Sequence, residues 1–279
     1  MYRIGYLGPR GTFSEEVAGL YLEGKEGEMV DCSSIEEIFT GVADGSLDEG
    51  VVPVENSTEG AVGAVLDLLA GPFDLVVRGE VILPVRQSLM VRPGVKLEQV
   101  KRVFSHSQAL AQCRKFLHQK LPSALLTECF STAAAAMKVA ASTRPWAALG
   151  PARAAAEYGL QVVVPVANDC PDNVTRFWVL GREQLPCPLE HGCKTSLIFG
   201  VEDRPGALYE VLRAFAQREI NLTRIESRPA KKNLGDYLFF IDFTGGQSQP
   251  EVQEALREVA AITPGLKILG SYPTEVAIV

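Results

Sequence analysis

Short apolar runs alternate with helix-spaced apolar stripes through the first 180 positions. Residues 1–8 read as a strand, and residues 14–22 as a helix for which Ser14 is the candidate cap. Residues 50–54 form a second apolar run. It breaks at Glu55-Asn56-Ser57-Thr58 into a stretch where Val62, Val65, Leu66 and Leu69 share one helical face. The run 74–91 is long for one strand, so a bend or crossing is expected at Arg78-Gly79. Runs at 101–105, 124–129 and 145–150 alternate with helical stretches at 108–119 and 132–140. A further helix opens at Pro151 and closes at Gly159, and strands at 161–166 and 175–180 end the region.

Such alternation predicts an α/β module. The chain crosses twice between segments, which implies two lobes, about 1–77 plus 167–181, and 78–166, with a cleft between them. Two prolines and two glycines near 182–193 mark a linker. From 194 to 279 a βαββαβ order of ferredoxin-like type appears. Leu208, Val211, Leu212 and Phe215 stripe its first helix, and Val252, Ala255, Leu256 and Val259 its second. The turn-rich Ala-Lys-Lys-Asn-Leu-Gly joins its two middle strands.

Composition narrows the class. A 47% hydrophobic and 22% charged chain of 279 residues builds real cores. A net charge of -7 argues against a nucleic-acid partner but leaves a small anionic ligand open. No apolar run reaches membrane-spanning length, and the chain opens directly on a strand, so a cytoplasmic enzyme or binding protein is expected. The six cysteines show no paired spacing and read as free, partly buried thiols. His106, His118 and His191 are scattered, so no metal site is expected.

Ligands of open α/β sheets bind beyond the carboxyl ends of strands. Three polar loops lie at such places: residues 8–14, residues 55–58, and Asn173-Val174-Thr175-Arg176-Phe177. The first two precede helices, whose exposed N–H groups favour carboxylate or phosphate. Simple capping by Ser14, Ser57 or Thr58 is the competing explanation.

Taken together and in order, GPRGTFSEEVA, VPVENSTEGAVG, SHSQALAQC, STAAAA and NVTRFWVL resemble prephenate dehydratase. RPGALYEVL and INLTRIESRP are similar to its regulatory ACT domain. One departure is Ser107, where the family has proline. The resemblance implies a two-lobed catalytic domain of periplasmic-binding-protein type followed by a ferredoxin-like ACT domain. It implies loss of water and CO2 from prephenate to give phenylpyruvate, without metal or other cofactor. The chain begins at the dehydratase portion, so a monofunctional enzyme is expected.

Within that resemblance Thr175, the threonine essential in the family, is the expected donor to the departing hydroxyl. Glu55, Asn56 and Ser57 are the other catalytic candidates, and Glu55 stands either as a buried acid or as an orienting group. Thr12, Phe13, Ser14, Thr58, His106, Gln108, Arg176 and Phe177 are assigned to substrate. For Arg176, pairing with a buried acid is equally open, and for His106 a structural role is. L-phenylalanine is the implied effector, held by Gly206, Ala207, Leu208, Glu226 and Ser227, with Asn221 and Leu222 completing the pocket from a second subunit of a homodimer or homotetramer. Arg228 is expected to couple the tail to the catalytic lobes. Other readings are an arogenate dehydratase, a non-catalytic two-lobed binding protein, and an amino-acid-sensing regulator.

Overall fold

A computed structural model describes residues 1–187, 192–230 and 237–274. The chain opens with β1 (Tyr2–Leu7), α1 (Phe13–Tyr21), β2 (Gly27–Cys32), α2 (Ile35–Asp44), β3 (Glu49–Asn56), the short β4 (Gly60–Ala61), α3 (Gly63–Ala70) and β5 (Val76–Pro84). It then crosses to a second lobe of β6 (Ser88–Val91), β7 (Arg102–Ser105), α4 (Ser107–Gln112), α5 (Arg114–Lys120), β8 (Leu125–Glu128), α6 (Thr132–Ala140), β9 (Trp146–Gly150), α7 (Ala152–Glu157) and β10 (Gln161–Val164). β11 (Val174–Gly181) returns to the first lobe. The C-terminal unit follows as β12 (Cys193–Gly200), α8 (Ala207–Ala216), β13 (Leu222–Pro229), β14 (Tyr237–Thr244), α9 (Pro250–Ile262) and β15 (Leu266–Pro273).

Each unit has its own sheet. The first lobe orders its strands β2-β1-β3-β11-β5, with β11 antiparallel to both neighbours, because it enters from the other lobe. The second lobe orders them β10-β6-β9-β7-β8, and the C-terminal sheet runs β13-β14-β12-β15. The last sheet buries one face under α8 and α9 through Leu197, Phe199, Val211, Phe215 and Val259. Its other face packs on the first lobe: Ile198, Phe240, Leu269 and Tyr272 join one core with Val52, Val54, Val77 and Trp178. Gly270, at φ +145, brings β15 so close to β5 that a Cβ there would lie 2.5 Å from the Val77 carbonyl oxygen. The C-terminal domain is thus built against the back of the first-lobe sheet by continuous apolar burial.

Several expectations are corrected by this arrangement. Thr12, not Ser14, caps α1, accepting from the Glu15 N–H at 3.3 Å. The expected bend at Arg78-Gly79 is a bulge inside a continuous β5, and the crossing lies at residues 85–87. The helix expected over 108–119 divides at Cys113, whose ψ of 16° leaves the helical region. The cysteines are not all free: Cys187 and Cys193 form a disulfide, their Cα atoms 6.2 Å apart across the linker. Cys32, Cys113, Cys129 and Cys170 are free. Linker residues 188–191, including His191, and residues 231–236 of the expected turn lie outside the described residues.

Candidate active site

A cleft of about 440 Å³ lies between the lobes. Strand alternation decides what faces it. On β11, Thr175 and Phe177 line the cleft, while Arg176 and Trp178 point to the opposite face of the sheet. On β3 plain alternation would put Asn56 on the same side as Val52 and Val54, which are core residues behind the sheet. The register between β3 and β11 skips Val54: Arg176 pairs with Glu55, and Phe177 with Pro53. This one-residue bulge reverses the parity of the strand end. Asn56 therefore turns into the cleft, and Glu55 turns away from it.

The polar turn after β3 then closes onto the start of β11. Asn56 Nδ2 donates to Thr175 Oγ1 at 2.9 Å, to Asn173 Oδ1 at 2.9 Å and to the Val174 carbonyl at 3.2 Å. Asn56 Oδ1 accepts from the Thr58 hydroxyl at 2.6 Å and from its N–H at 3.0 Å. Ser57 Oγ donates to Asn173 Oδ1 at 3.2 Å and accepts from the Val174 N–H at 3.0 Å. Neither Ser57 nor Thr58 caps a helix, since α3 starts after Val62 without a side-chain cap. These side chains knit two strand ends together. Because Thr175 Oγ1 accepts from Asn56, its own proton is available to an oxygen in the cleft.

The opposing walls carry helix starts. Thr12, Phe13 and Ser14 open α1, and Ser131 and Thr132 open α6; all five line the cleft. Thr12 is largely committed to its cap, donating to the Leu7 carbonyl at 3.0 Å, whereas Ser14 is buried against the cleft. His106 is the N-cap of α4, its Nδ1 accepting from the Gln108 N–H at 3.4 Å. Ser107 takes the first helical position, where a proline would also fit, and the helix start is intact. Gln108 Nε2 donates to Glu59, and Gln112 Nε2 donates to the same carboxylate at 3.1 Å, tying the lobes together across the opening. Among the described residues lining the cleft there is no lysine or arginine, and Glu59 is the one acid.

Two alternatives left open by the sequence are narrowed by this geometry. Arg176 lies behind the sheet rather than against a substrate. Its Nη1 pairs with Asp242 at 2.7 Å and Glu80 at 3.1 Å, and its Nη2 with Glu55 at 3.3 Å. Burial alone would make the guanidinium easier to deprotonate, but Asp242, Tyr272 and Glu80 outweigh it and raise its pKa above arginine's ordinary value. Glu55 is likewise absent from the cleft wall. It meets Arg176 and, at 3.4 Å, Arg224 of β13, so the orienting alternative fits the geometry and the general-acid one does not.

In the C-terminal domain, Gly206 precedes α8 at φ +84, a conformation that favours glycine. Ala207 is buried, and Leu208 and Leu222 pack toward the domain core, which leaves mainly backbone groups for a ligand. The Asn221 carbonyl accepts from the Thr244 N–H at 3.0 Å. Glu226 is half-buried and Ser227 exposed on β13. Arg228 Nη2 reaches Asp67 of α3 at 2.9 Å and packs over Gly63, spanning the two domains. Lys267 of β15 donates to the Leu69 and Phe73 carbonyls at the other end of α3, at 3.1 and 2.6 Å.

Sequence reasoning left some of these residues unassigned. Asn173, 1% exposed, anchors Asn56 and Ser57, and its place two residues before Thr175 was the available signal. Gln112 follows Gln108 by four positions and so shares its helix face. Glu59 belongs to the same polar turn as Asn56. Nothing in the linear pattern pairs it with the second lobe.

Comparison with known proteins completes the picture. Residues 4–185 match the prephenate dehydratase family, and residues 195–261 match the ACT domain. The chain is 40% identical over 272 residues to the bifunctional chorismate mutase/prephenate dehydratase of Aquifex aeolicus, covering 97% of this chain and 73% of that one. It is 39% identical over 273 residues to the prephenate dehydratase of Amycolatopsis methanolica, covering 98% and 88%. The crystal structure of prephenate dehydratase from Arthrobacter aurescens in complex with L-Phe has a TM-score of 0.89 at 37% identity, covering 99% of this chain and 93% of that one. With its cleft built on the Asn56 turn and Thr175, and its ACT domain behind them, this chain belongs to the prephenate dehydratase family of decarboxylating lyases.

Proposed function

We propose that the inter-lobe cleft converts prephenate to phenylpyruvate, CO2 and water, with Thr175 serving the departing oxygen. The observation that carries this reading is the Asn56–Thr175 hydrogen bond at 2.9 Å, which fixes the threonine hydroxyl as an acceptor toward Asn56 and a donor toward the cleft. In the reaction the bond between ring and carboxylate carbon breaks, its electron pair enters the ring, and the ring C–O bond breaks as aromaticity is gained. The oxygen departs with hydroxide character and takes its one proton from solvent. A threonine hydroxyl is too weak an acid to supply it outright at neutral pH. It donates a hydrogen bond that strengthens as negative charge builds, which is stabilisation confined to the transition state.

The charge pattern of the cleft supports the rest. The α1 and α6 starts offer partial positive charge to the pyruvyl carboxylate. Ser14 and the Gln108 and Gln112 amides supply further donors, with Phe13 and Phe177 against the ring. With no lysine or arginine among the described residues of the wall, the second carboxylate stays weakly stabilised, which favours its departure as CO2. Both glutamine amides stand at the cleft wall, where Glu59 accepts a hydrogen bond from each.

We assign L-phenylalanine as effector, received at Gly206, Ala207 and Leu208 with Asn221 and Leu222 from a second subunit and Glu226 and Ser227 nearby. The Arthrobacter relative bound to L-Phe supports this assignment. A homodimer or homotetramer is the assembly we propose, because β13 is an edge strand and Tyr209, Ile225 and Tyr237 are exposed. The proposed compartment is the cytoplasm, on the likeness to biosynthetic enzymes alone. The test incubates purified protein with prephenate and, in parallel, with arogenate, following the aromatic products with and without L-phenylalanine. Phenylpyruvate from prephenate, at a rate that L-phenylalanine changes, is expected. Turnover of arogenate alone would reassign the substrate, and turnover of neither would remove the catalytic reading.

A further inference from the structure

The two dipeptides at the heart of the cleft are two-faced. Asn56 and Thr175 turn into it, while their chain neighbours Glu55 and Arg176 turn toward the ACT domain. There Asp242 Oδ2 lies 2.7 Å from Arg176 Nη1, and Arg224 Nε lies 3.4 Å from Glu55 Oε2. Both ACT side chains are buried, at 1% and 6% exposure. Burying a charge is unfavourable unless it is paired, so these contacts set where the two strand ends rest. They act one peptide unit from the reacting groups, and on β3 they act where a bulge has already interrupted the ladder.

We propose that Asp242 and Arg224 are positioning residues for the dehydration site, through which the ACT domain sets the Asn56–Thr175 hydrogen bond. The proposal rests on the reading of the cleft as a dehydratase site. Arg176 divides its guanidinium between one ACT carboxylate, Asp242, and two carboxylates of the catalytic domain, Glu80 and Glu55. Its position is a balance that a shift of β14 tilts. Asp242 is itself fixed to the ACT sheet by Ser196 Oγ at 2.6 Å, so movement of that sheet moves the carboxylate with it. The side chain that follows Arg176 in this balance is Thr175, whose hydroxyl must meet the leaving oxygen in a defined direction. Regulation then needs no path across the lobes: it enters from behind the sheet.

The test compares wild-type protein with Asp242→Asn, which removes one charge and keeps the shape, and with Ser196→Ala, which removes the hydroxyl bonded to both Asp242 Oδ1 and the Tyr272 hydroxyl and no charge. Prephenate turnover, the thermal midpoint and tryptophan emission are measured on each. The emission is informative because the Arg176 guanidinium lies 5.4 Å over the Trp178 ring, and the chain has only 2 tryptophans. Asp242→Asn should lower kcat by about 10- to 100-fold, the size expected from misplacing a reacting group by about 1 Å. KM should stay within about threefold, the pattern of a lost transition-state interaction. Emission should shift, the kcat response to L-phenylalanine should shrink, and Ser196→Ala should show the same changes to a smaller degree. A lower thermal midpoint with unchanged kcat per folded molecule would overturn the proposal, reducing the network to a structural contact. Should Asp242→Asn fail to fold, Ser196→Ala decides by the same criteria. Absence of wild-type turnover would sink the reading of the cleft and the proposal with it, whereas normal wild-type turnover with unchanged variants sinks the proposal alone.

Discussion

Replacing Thr175 by valine isolates one hydroxyl. The side chain keeps its branched shape on β11, and the methyl that replaces Oγ1 removes both an acceptor for Asn56 and a donor for the cleft. Asn56 Nδ2 is not stranded, because Asn173 Oδ1 at 2.9 Å and the Val174 carbonyl at 3.2 Å still accept from it. The stability loss is therefore that of one ordinary hydrogen bond, about 0.5–1.5 kcal/mol. For a chain of this size that lowers the thermal midpoint by roughly 2–4 °C per kcal/mol. The catalytic loss is larger, because the donor acts on charge that develops only in the transition state. Removal of such a donor typically reduces turnover about 100- to 1000-fold, or roughly 2.7–4 kcal/mol of barrier. The assay is steady-state phenylpyruvate formation from prephenate, with Thr175→Ser as the control that restores the hydroxyl. Thr175→Val should lose kcat and kcat/KM alike, and Thr175→Ser should recover most of both. Turnover of Thr175→Val within a few-fold of wild type would remove this hydroxyl from the mechanism, and collapse of the fold in Thr175→Val but not in Thr175→Ser would show it to be structural.

Asn173→Ala leaves Asn56 and Ser57 without their shared acceptor; it should lower stability by about 1–3 kcal/mol and also reduce kcat, read by thermal melting and turnover together. Arg228→Ala breaks the Asp67 contact between domains. It should leave basal turnover near wild type and weaken the response to L-phenylalanine, measured as the effector concentration giving half its effect. Burial lowers the pKa of Lys267 below its ordinary 10.5. Between those two values the unfolded chain holds the extra proton, so raising pH favours the fold. Lys267→Met should abolish that contribution, seen as a shallower rise or steeper fall of the thermal midpoint relative to wild type as the pH is raised toward 10.5.

The loops that line the cleft were legible in the sequence because polar side chains at strand ends are conspicuous against apolar runs. Their facing was not. Glu55 and Asn56 look like equal partners in Glu-Asn-Ser-Thr, and only the register skip at Val54 sends one forward and the other back. Arg176 reads equally as an anion binder or as the partner of a buried acid, and strand alternation carries it to the far face, where Asp242 waits more than 60 positions along the chain. Contacts of that range leave no local pattern. The same holds for Glu59, which meets Gln108 and Gln112 only because the lobes close. The βαββαβ order of the tail was readable, since each stripe and alternation is local, whereas its packing face against Trp178 and Val77 was not.

The central claim is that groups from both lobes gather one prephenate molecule in the cleft with its ring hydroxyl at position 175. A crystal structure of Thr175→Val soaked with prephenate tests this most directly, because the slowed variant lets the substrate persist. The account predicts prephenate between the lobes, its ring near Phe177, its pyruvyl carboxylate at the α1 or α6 start, and its hydroxyl against the valine methyl. Prephenate bound elsewhere, or held in the cleft with its hydroxyl turned away from residue 175, would contradict it.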